Sequence, residues 1–345
     1  MKKLIVIFGL LLLFSCANEE FEPHQYSKVT VEDVYTDSIS IRAITMMQGN
    51  VGFAGSKNTF GIYNTGAGKV VTQKIKQDSL DIEFRAVAST STDFYMLSVA
   101  NPALLYKTGN RGKMELVYQE DNEKVFYDAM RFWNDQEGIA MGDPTNGCLS
   151  IIITRDGGNT WNKLACEALP DGSNAEAAFA ASNTNIAIVG NNTWIATGGK
   201  KARIFYSPDK AKTWQVFETP IVQGEPTQGI YSVDFYDEMN GFVIGGDYTQ
   251  PENNKANKAV TNDGGKTWKL VGEGQEPGYR SCVQYLPGRE AKELVTVGFK
   301  GISFSNDGGQ TWKQLSNEAF YTIRFVNDSI AYAAGNGRIS KLRFE

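Results

Sequence analysis

The chain has 345 residues, 41% of them apolar and 12% aromatic, enough for a large buried core. Its formal net charge of −5 gives no global attraction to nucleic acid or to an anionic membrane surface. The 35 glycines and 10 prolines fall between short apolar runs, which marks a chain of many tight turns and excludes a disordered one.

Residues 1–15 open with the basic "MKK" and continue into the apolar run "LIVIFGLLLLF". This run is shorter than the roughly 20 residues that span a bilayer, but it has the length of a signal-peptide core. It ends in "LFSC", where Leu13, Ser15 and Cys16 resemble the lipobox of bacterial lipoproteins. The resemblance implies cleavage before Cys16, acylation there, and attachment to a membrane without a spanning helix. Ordinary secretion with an unmodified Cys16 is the alternative. Residues 16–27, including "ANEEFEPHQ", read as an acidic, solvated tether. Ala17 is not the aspartate that often retains lipoproteins at the inner membrane, so the outer membrane is the expected location.

From residue 28 onward, Val, Ile, Phe, Tyr and Thr alternate in short runs such as "ISIRAI", "ELVTVGF" and "SIAYAAG", bounded by Gly, Asn and Asp. That pattern predicts strands and no long helix. A small residue closes the second strand of each unit, at Gly55, Ser98, Gly142, Gly198, Gly245, Gly298 and Gly335. Seven units of about 45 residues, each with room for four strands, predict an all-β, seven-bladed propeller over residues 28–345. The last unit supplies only three strands before Glu345. The segment "SKVTVEDV", residues 27–34, is therefore expected to add the fourth, so that both termini close one blade and no edge is left bare.

Four units carry an octapeptide between their third and fourth strands: "TRDGGNTW" (154–161), "SPDKAKTW" (207–214), "TNDGGKTW" (261–268) and "SNDGGQTW" (305–312). Asp156, Asp209, Asp263 and Asp307 can each accept backbone N–H bonds across a turn, and a glycine there can take positive φ. Trp161, Trp214, Trp268 and Trp312 begin the outer strand and pack inward. The pattern resembles the Asp box of BNR repeats, which implies a structural clasp used repeatedly, not four active sites. Cys148 and Cys166 flank the first octapeptide almost symmetrically, so a hairpin would set them roughly opposite each other. An oxidising compartment would allow a disulfide, and two buried thiols are the equal alternative.

Several units resemble the seven-bladed BNR-type propellers related to the plant photosystem II stability/assembly factor. The resemblance rests on "DAMRFWNDQEGIAMGDP" (128–144), "GIYSVDFYDEMNGFVIGGDY" (229–248) and "FYTIRFVND" (320–328), among others. It implies a non-catalytic protein that binds a partner during complex assembly, although bacterial members often carry a loose oxidoreductase label. The first two units depart from it, with degenerate boxes in "YNTGAGKVV" and "YKTGNRGKMEL". The single histidine, His24, lies in the tether, which removes a Ser-His-Asp triad, a Cys-His pair and histidine-ligated metal sites from the folded body. Phosphate loop, GxGxxG and CxxC are missing from the sequence, so no cofactor and no metal are expected. A sialidase-like glycoside hydrolase of the cell envelope is the enzymatic alternative, because sialidases also use Asp boxes. Against it stand the missing "RIP" motif and seven units where sialidases have six blades.

In a propeller, connections from the second to the third strand open on the same face as the connections between blades, and the octapeptides lie on the other. The long ones are "GDPTNGC" (142–148), "GGKKARI" (198–204) and "GGDYTQPENNKAN" (245–257). They bring Asp143, Arg203, Asp247 and Tyr248 to that face, with Trp194 in an adjacent strand and Tyr279 ahead of an inner one. Long loops on a rigid scaffold are where recognition concentrates. Arg42, Arg85, Arg131, Arg280 and Arg324 all fall in or at the start of innermost strands, which suggests a basic inner surface suited to carboxylate or phosphate. Pairing with Asp128 and Asp234 between blades is the alternative. The expectation is a monomeric envelope protein engaging a protein, or an acidic or glycan ligand, through this face.

Overall fold

The computed structural model describes residues 21–76, 80–109, 112–172 and 175–345. The signal segment and Cys16 lie outside them. Seven antiparallel sheets form the blades of a β-propeller, and among the described residues helix is confined to short 3-10 turns such as Cys166–Ala168. The inner strands of blades 1 to 7 are Ala43–Met47, Phe84–Ser89, Tyr127–Phe132, Ile186–Val189, Gln228–Phe235, Cys282–Tyr285 and Thr322–Phe325.

Both termini build the seventh blade. Val29–Ser40 pairs antiparallel with the end of the chain, Val29 opposite Phe344 and Val31 opposite Leu342. Ile330–Phe344 doubles back at Asn336 and Gly337, so Phe344 N donates to Ser329 O at 2.9 Å. Gly337 takes φ +78°, as an Asn-Gly hairpin turn needs. The first strand runs past the predicted residue 34 to Ser40, with register shifts after Asp33 and after Thr36.

Alternating side chains give each blade two apolar faces, and the core among the described residues divides into eight clusters, one in each of the seven gaps between neighbouring blades and an eighth, of Ala181, Tyr231 and Tyr279, near the axis. The gap between blades 7 and 1, for example, holds Ile41, Ile44, Phe53, Tyr332 and Ile339.

The octapeptides lock four of those gaps. In the first, Asp156 Oδ1 accepts from Thr160 N at 2.9 Å, Oδ2 accepts from Thr160 Oγ1 at 2.7 Å, and Thr154 Oγ1 accepts from Gly158 N at 2.8 Å. Asp209, Asp263 and Asp307 repeat this pattern. Two successive left-handed residues make each turn, at φ +71° and +74° for Gly157 and Gly158. A Cβ on the second of these would sit 2.3 Å from Tyr95 at Gly158, 2.9 Å from Trp194 at Gly265 and 2.4 Å from Phe242 at Gly309. Each of these aromatic residues stands on the second strand of the preceding blade. Tyr95 and Trp194 also donate to the first glycine's carbonyl, both at 2.8 Å. In blade 4 the turn carries Lys210 and Ala211 instead, at φ +59° and +64°. Ala211 fits because its gap is filled by the smaller Ile139.

Cys148 and Cys166 form a disulfide. Cys282 is a buried free thiol. The segment leading into blade 4 departs from a regular repeat. Just ahead of its inner strand, which begins at Ile186, residues 182–184 reach across the ring to other blades. Ser182 Oγ donates to Ser281 O at 2.6 Å, and Asn183 Nδ2 donates to Val87 O at 2.8 Å. Asn183 Oδ1 accepts from Met130 N at 2.9 Å, and Ser182 O accepts from Thr322 Oγ1 at 2.9 Å. Thr184 bonds Ser232 at 2.8 Å. Residues 182–184 thus tie blades 2, 3, 5, 6 and 7 together and plug the channel.

The end of the expected tether docks onto the propeller through Tyr26 and His24. Tyr26 is buried against Phe304 and Phe344, and Asn306 Nδ2 donates to His24 O at 2.8 Å. His24 Nδ1 lies 2.7 Å from Glu293. His24 therefore belongs to the folded body, facing the carboxylates of Glu293 and Asp328.

Candidate functional site

Above the plug, at the end of the axis where one blade leads into the next, lies a cavity of about 600 Å³. Each blade sends an arginine or an aromatic residue into it, from the inner strand or the segment leading into it: Arg42, Arg85, Phe126, Phe179, Tyr231, Tyr279 and Tyr321. Tyr248 and Phe299 reach in from the connections between second and third strands of blades 5 and 6. Ala178, Ala180 and Ala181, just ahead of the plug, line its floor.

The rings support one another. Phe179 and Tyr231 stack at 3.9 Å with 2° between planes, and Tyr279 stands perpendicular to Tyr231 at 4.7 Å. Tyr248, 48% exposed, closes the rim at 6.5 Å from both tyrosines. Arg42 lies 4.1 Å over the face of Tyr321, a favourable place for a cation. Its Nε has no hydrogen-bond partner, and no carboxylate among the described residues comes within 4.0 Å of its guanidinium. Burial and the neighbouring Arg85 pull the Arg42 pKa below the ordinary arginine value. Arg85 donates from Nε to Glu83 at 2.9 Å and leaves its terminal nitrogens towards the cavity.

The cavity lining among the described residues contains no Asp or Glu. Below it, Asp128 is fully buried, and neither of its carboxyl oxygens has a hydrogen-bond partner. Burial, with Asp143 nearby, holds its pKa well above the ordinary value. The arrangement offers a flat aromatic wall for an apolar or aromatic side chain and two guanidiniums for an anionic or carbonyl oxygen.

Of the residues singled out from sequence, the cavity gathers Arg42, Arg85, Tyr248 and Tyr279. Six others lie elsewhere for physical reasons. Trp194 is fully buried, stacked on Phe235 at 3.7 Å beneath the octapeptide of blade 5. Asp143 accepts from Ala178 N at 2.8 Å, and burial pushes its pKa up to about 6. Asp247 caps its own turn, accepting from Thr249 N at 2.9 Å. Arg203 pairs with the buried Glu176. Arg280 turns into blade 6, donating to Tyr279 O at 2.9 Å and Gln314 Oε1 at 3.1 Å, and burial lowers its pKa to about 10. Arg324 lies on the far side of the plug with Arg131, in a second cavity. The five inner-strand arginines therefore do not form one basic surface. Neither Asp128 nor Asp234 forms an ion pair within 4.0 Å of an arginine among the described residues.

Sequence reasoning missed Phe126, Phe179, Tyr231, Phe299 and Tyr321. A partial signal existed: in three units an arginine or an aromatic residue stands immediately ahead of the inner strand, at Arg42, Phe126 and Tyr321.

Neither a family model nor a curated protein matches the chain. Solved structures share the fold. YCF48 bound to a D1 peptide superposes with a TM-score of 0.65 and 14% identity, over 94% of this chain and 99% of that one. YCF48 from Cyanidioschyzon merolae gives 0.61 and 12%, over 92% and 99%. The GH74 enzyme of Niastella koreensis gives 0.60 and 14%, over 90% of this chain and 53% of that one. At these identities the likeness is one of fold.

Proposed function

We propose that this chain is a non-catalytic binding and assembly factor of the cell envelope, anchored by lipid at Cys16, that receives a segment of a partner protein in the upper cavity. The observation that carries this reading is the cavity itself. Seven aromatic residues surround two arginines, one of them without a carboxylate partner, on a lining that carries no carboxylate. Such a site suits an extended segment that presents an aromatic or aliphatic side chain beside an acidic group. The sequence resemblance to an assembly-factor family points the same way, as does a solved propeller of this shape holding a peptide. Glycoside hydrolysis needs two carboxyl groups about 5–9.5 Å apart facing the substrate, and this lining offers none.

Fluorescence anisotropy with a panel of labelled acidic-aromatic peptides tests the proposal. Arg42→Ala with Arg85→Ala is expected to weaken binding at least about ten-fold while the melting temperature stays nearly unchanged. Undiminished binding by the double variant, or turnover of aryl glycosides by the wild type, would overturn it.

A further inference from the structure

Below the plug, on the octapeptide face, a second cavity of about 570 Å³ opens between the outgoing ends of the inner strands. Its lining shares no residue with the upper cavity. The charged groups in it are two guanidiniums, Arg131 and Arg324, and one carboxylate, Asp234. Asp234 is held by Tyr285 N, which donates to Oδ2 at 2.7 Å. Arg324 is fixed by Thr322 Oγ1 at 3.0 Å, Ile323 O at 2.7 Å and Asn183 O at 3.3 Å. Arg131 makes only one long bond, to Met130 O at 3.3 Å, and among the described residues neither arginine has a carboxylate within 4.0 Å. Two like charges in one cavity with most of a guanidinium fork unfilled is an unfavourable arrangement unless something anionic enters.

We propose that this cavity is a separate ligand site for a small organic monocarboxylate with an apolar body, its carboxylate taken by Arg131 beside Arg324. Charge selects the class. The lining sums to one net positive charge, which a monocarboxylate neutralises and a phosphate dianion over-neutralises. The rest of the wall selects the body, because Met46, Trp133, Ile188 and Phe325, each only partly buried, present carbon to it. Burial pushes the Asp234 pKa up to about 6 and lowers that of Arg131 to about 9, the response expected of charges short of partners. This site does not depend on the reading of the upper cavity, since the plug separates the two.

The test uses the mature chain and the quenching of Trp133 fluorescence by 4-nitrobenzoate, with 4-nitrobenzamide and 4-nitrophenyl phosphate as comparisons. Saturable quenching by the carboxylate is expected, with the neutral amide at least about ten-fold weaker. Arg131→Gln should weaken the carboxylate by a similar factor. Asp234→Asn, which keeps an acceptor for Tyr285 N, should tighten it several-fold, and this variant carries the test if Arg131→Gln does not fold. Trp133→Phe should abolish the saturable signal. The proposal fails if amide and acid bind alike, if the phosphate ester binds more tightly, or if Asp234→Asn changes nothing. It also fails if Trp133→Phe leaves the quenching intact, or if no saturation appears by about 10 mM.

Discussion

Replacing Gly158 by Ala tests the account of how the blades are locked. Two penalties add at this position. The backbone sits at φ +74°, where a residue with a Cβ costs about 1–2 kcal/mol. The new methyl would also lie 2.3 Å from Tyr95 Cε1. Tyr95 cannot easily move, because it is fully buried and its hydroxyl is tied to Gly157 O. Overpacking of that kind costs about 1–3 kcal/mol, giving a total loss of about 2–5 kcal/mol. Unfolding entropy for a chain of this size is about 0.7 kcal/mol per kelvin, so calorimetry should show the melting temperature falling by about 3–7 °C. In a Tyr95→Leu background the additional loss should shrink to the backbone part, about 1–2 kcal/mol. Ala211→Gly is the counterpart, since Ala211 occupies the same turn position at φ +64° with no large ring beneath it. Relief of the left-handed alanine offsets the greater freedom of the unfolded glycine, so the change should lie between neutral and about 1 °C upward. A Gly158→Ala protein melting within about 1 °C of wild type would refute the lock.

Arg280→Ala should lower stability by about 2–4 kcal/mol without changing peptide binding, the reverse of Arg42→Ala, because Arg280 is buried and bonded within blade 6. Thermal melts and anisotropy on both variants separate the two roles. Asp143→Asn should alter the pH dependence of stability. The folded carboxyl holds its proton up to about pH 6, above the unfolded value, so Asp143 costs stability progressively as pH rises from about 4 to 6. The variant's melting temperature relative to wild type should therefore be higher at pH 7.5 than at pH 4.5, and an equal difference at both would count against it. Removing the Cys148–Cys166 bond by a double serine variant should cost about 3 kcal/mol, since it closes a loop of 18-residue separation. Unchanged denaturant midpoints would argue against that.

Architecture was the legible part of this sequence, because it repeats. A clasp whose glycine must avoid a ring on the preceding blade leaves the same letters three times, with a fourth copy that keeps the Asp, Thr and Trp, and a last unit of three strands leaves an obvious vacancy for Val29–Val31. The site was less legible, since a side chain's direction depends on neighbours far away in sequence. Asp143 and Asp247 sit in loops like binding residues, yet backbone N–H groups only a tertiary view reveals have claimed both. Arg42 and Arg280 look alike on paper, and what separates them is that Gln314 and Ser303 stand ready for one and Tyr321 for the other. Ser182–Thr184 reads as an ordinary polar loop. Nothing local shows that its partners lie on five other blades.

The way the chain enters the fold has a consequence for orientation. Tyr26 donates to Asp328 O, Asn306 reaches His24 O, and Arg289 holds Glu22 O, and all three partners sit at the octapeptide end. Anything joined ahead of Phe21 therefore pulls on that end of the ring. Under the lipid-anchored reading proposed above, the bilayer would look onto the cavity of Arg131, while the aromatic bowl of Tyr231 and Tyr279 would face away from it.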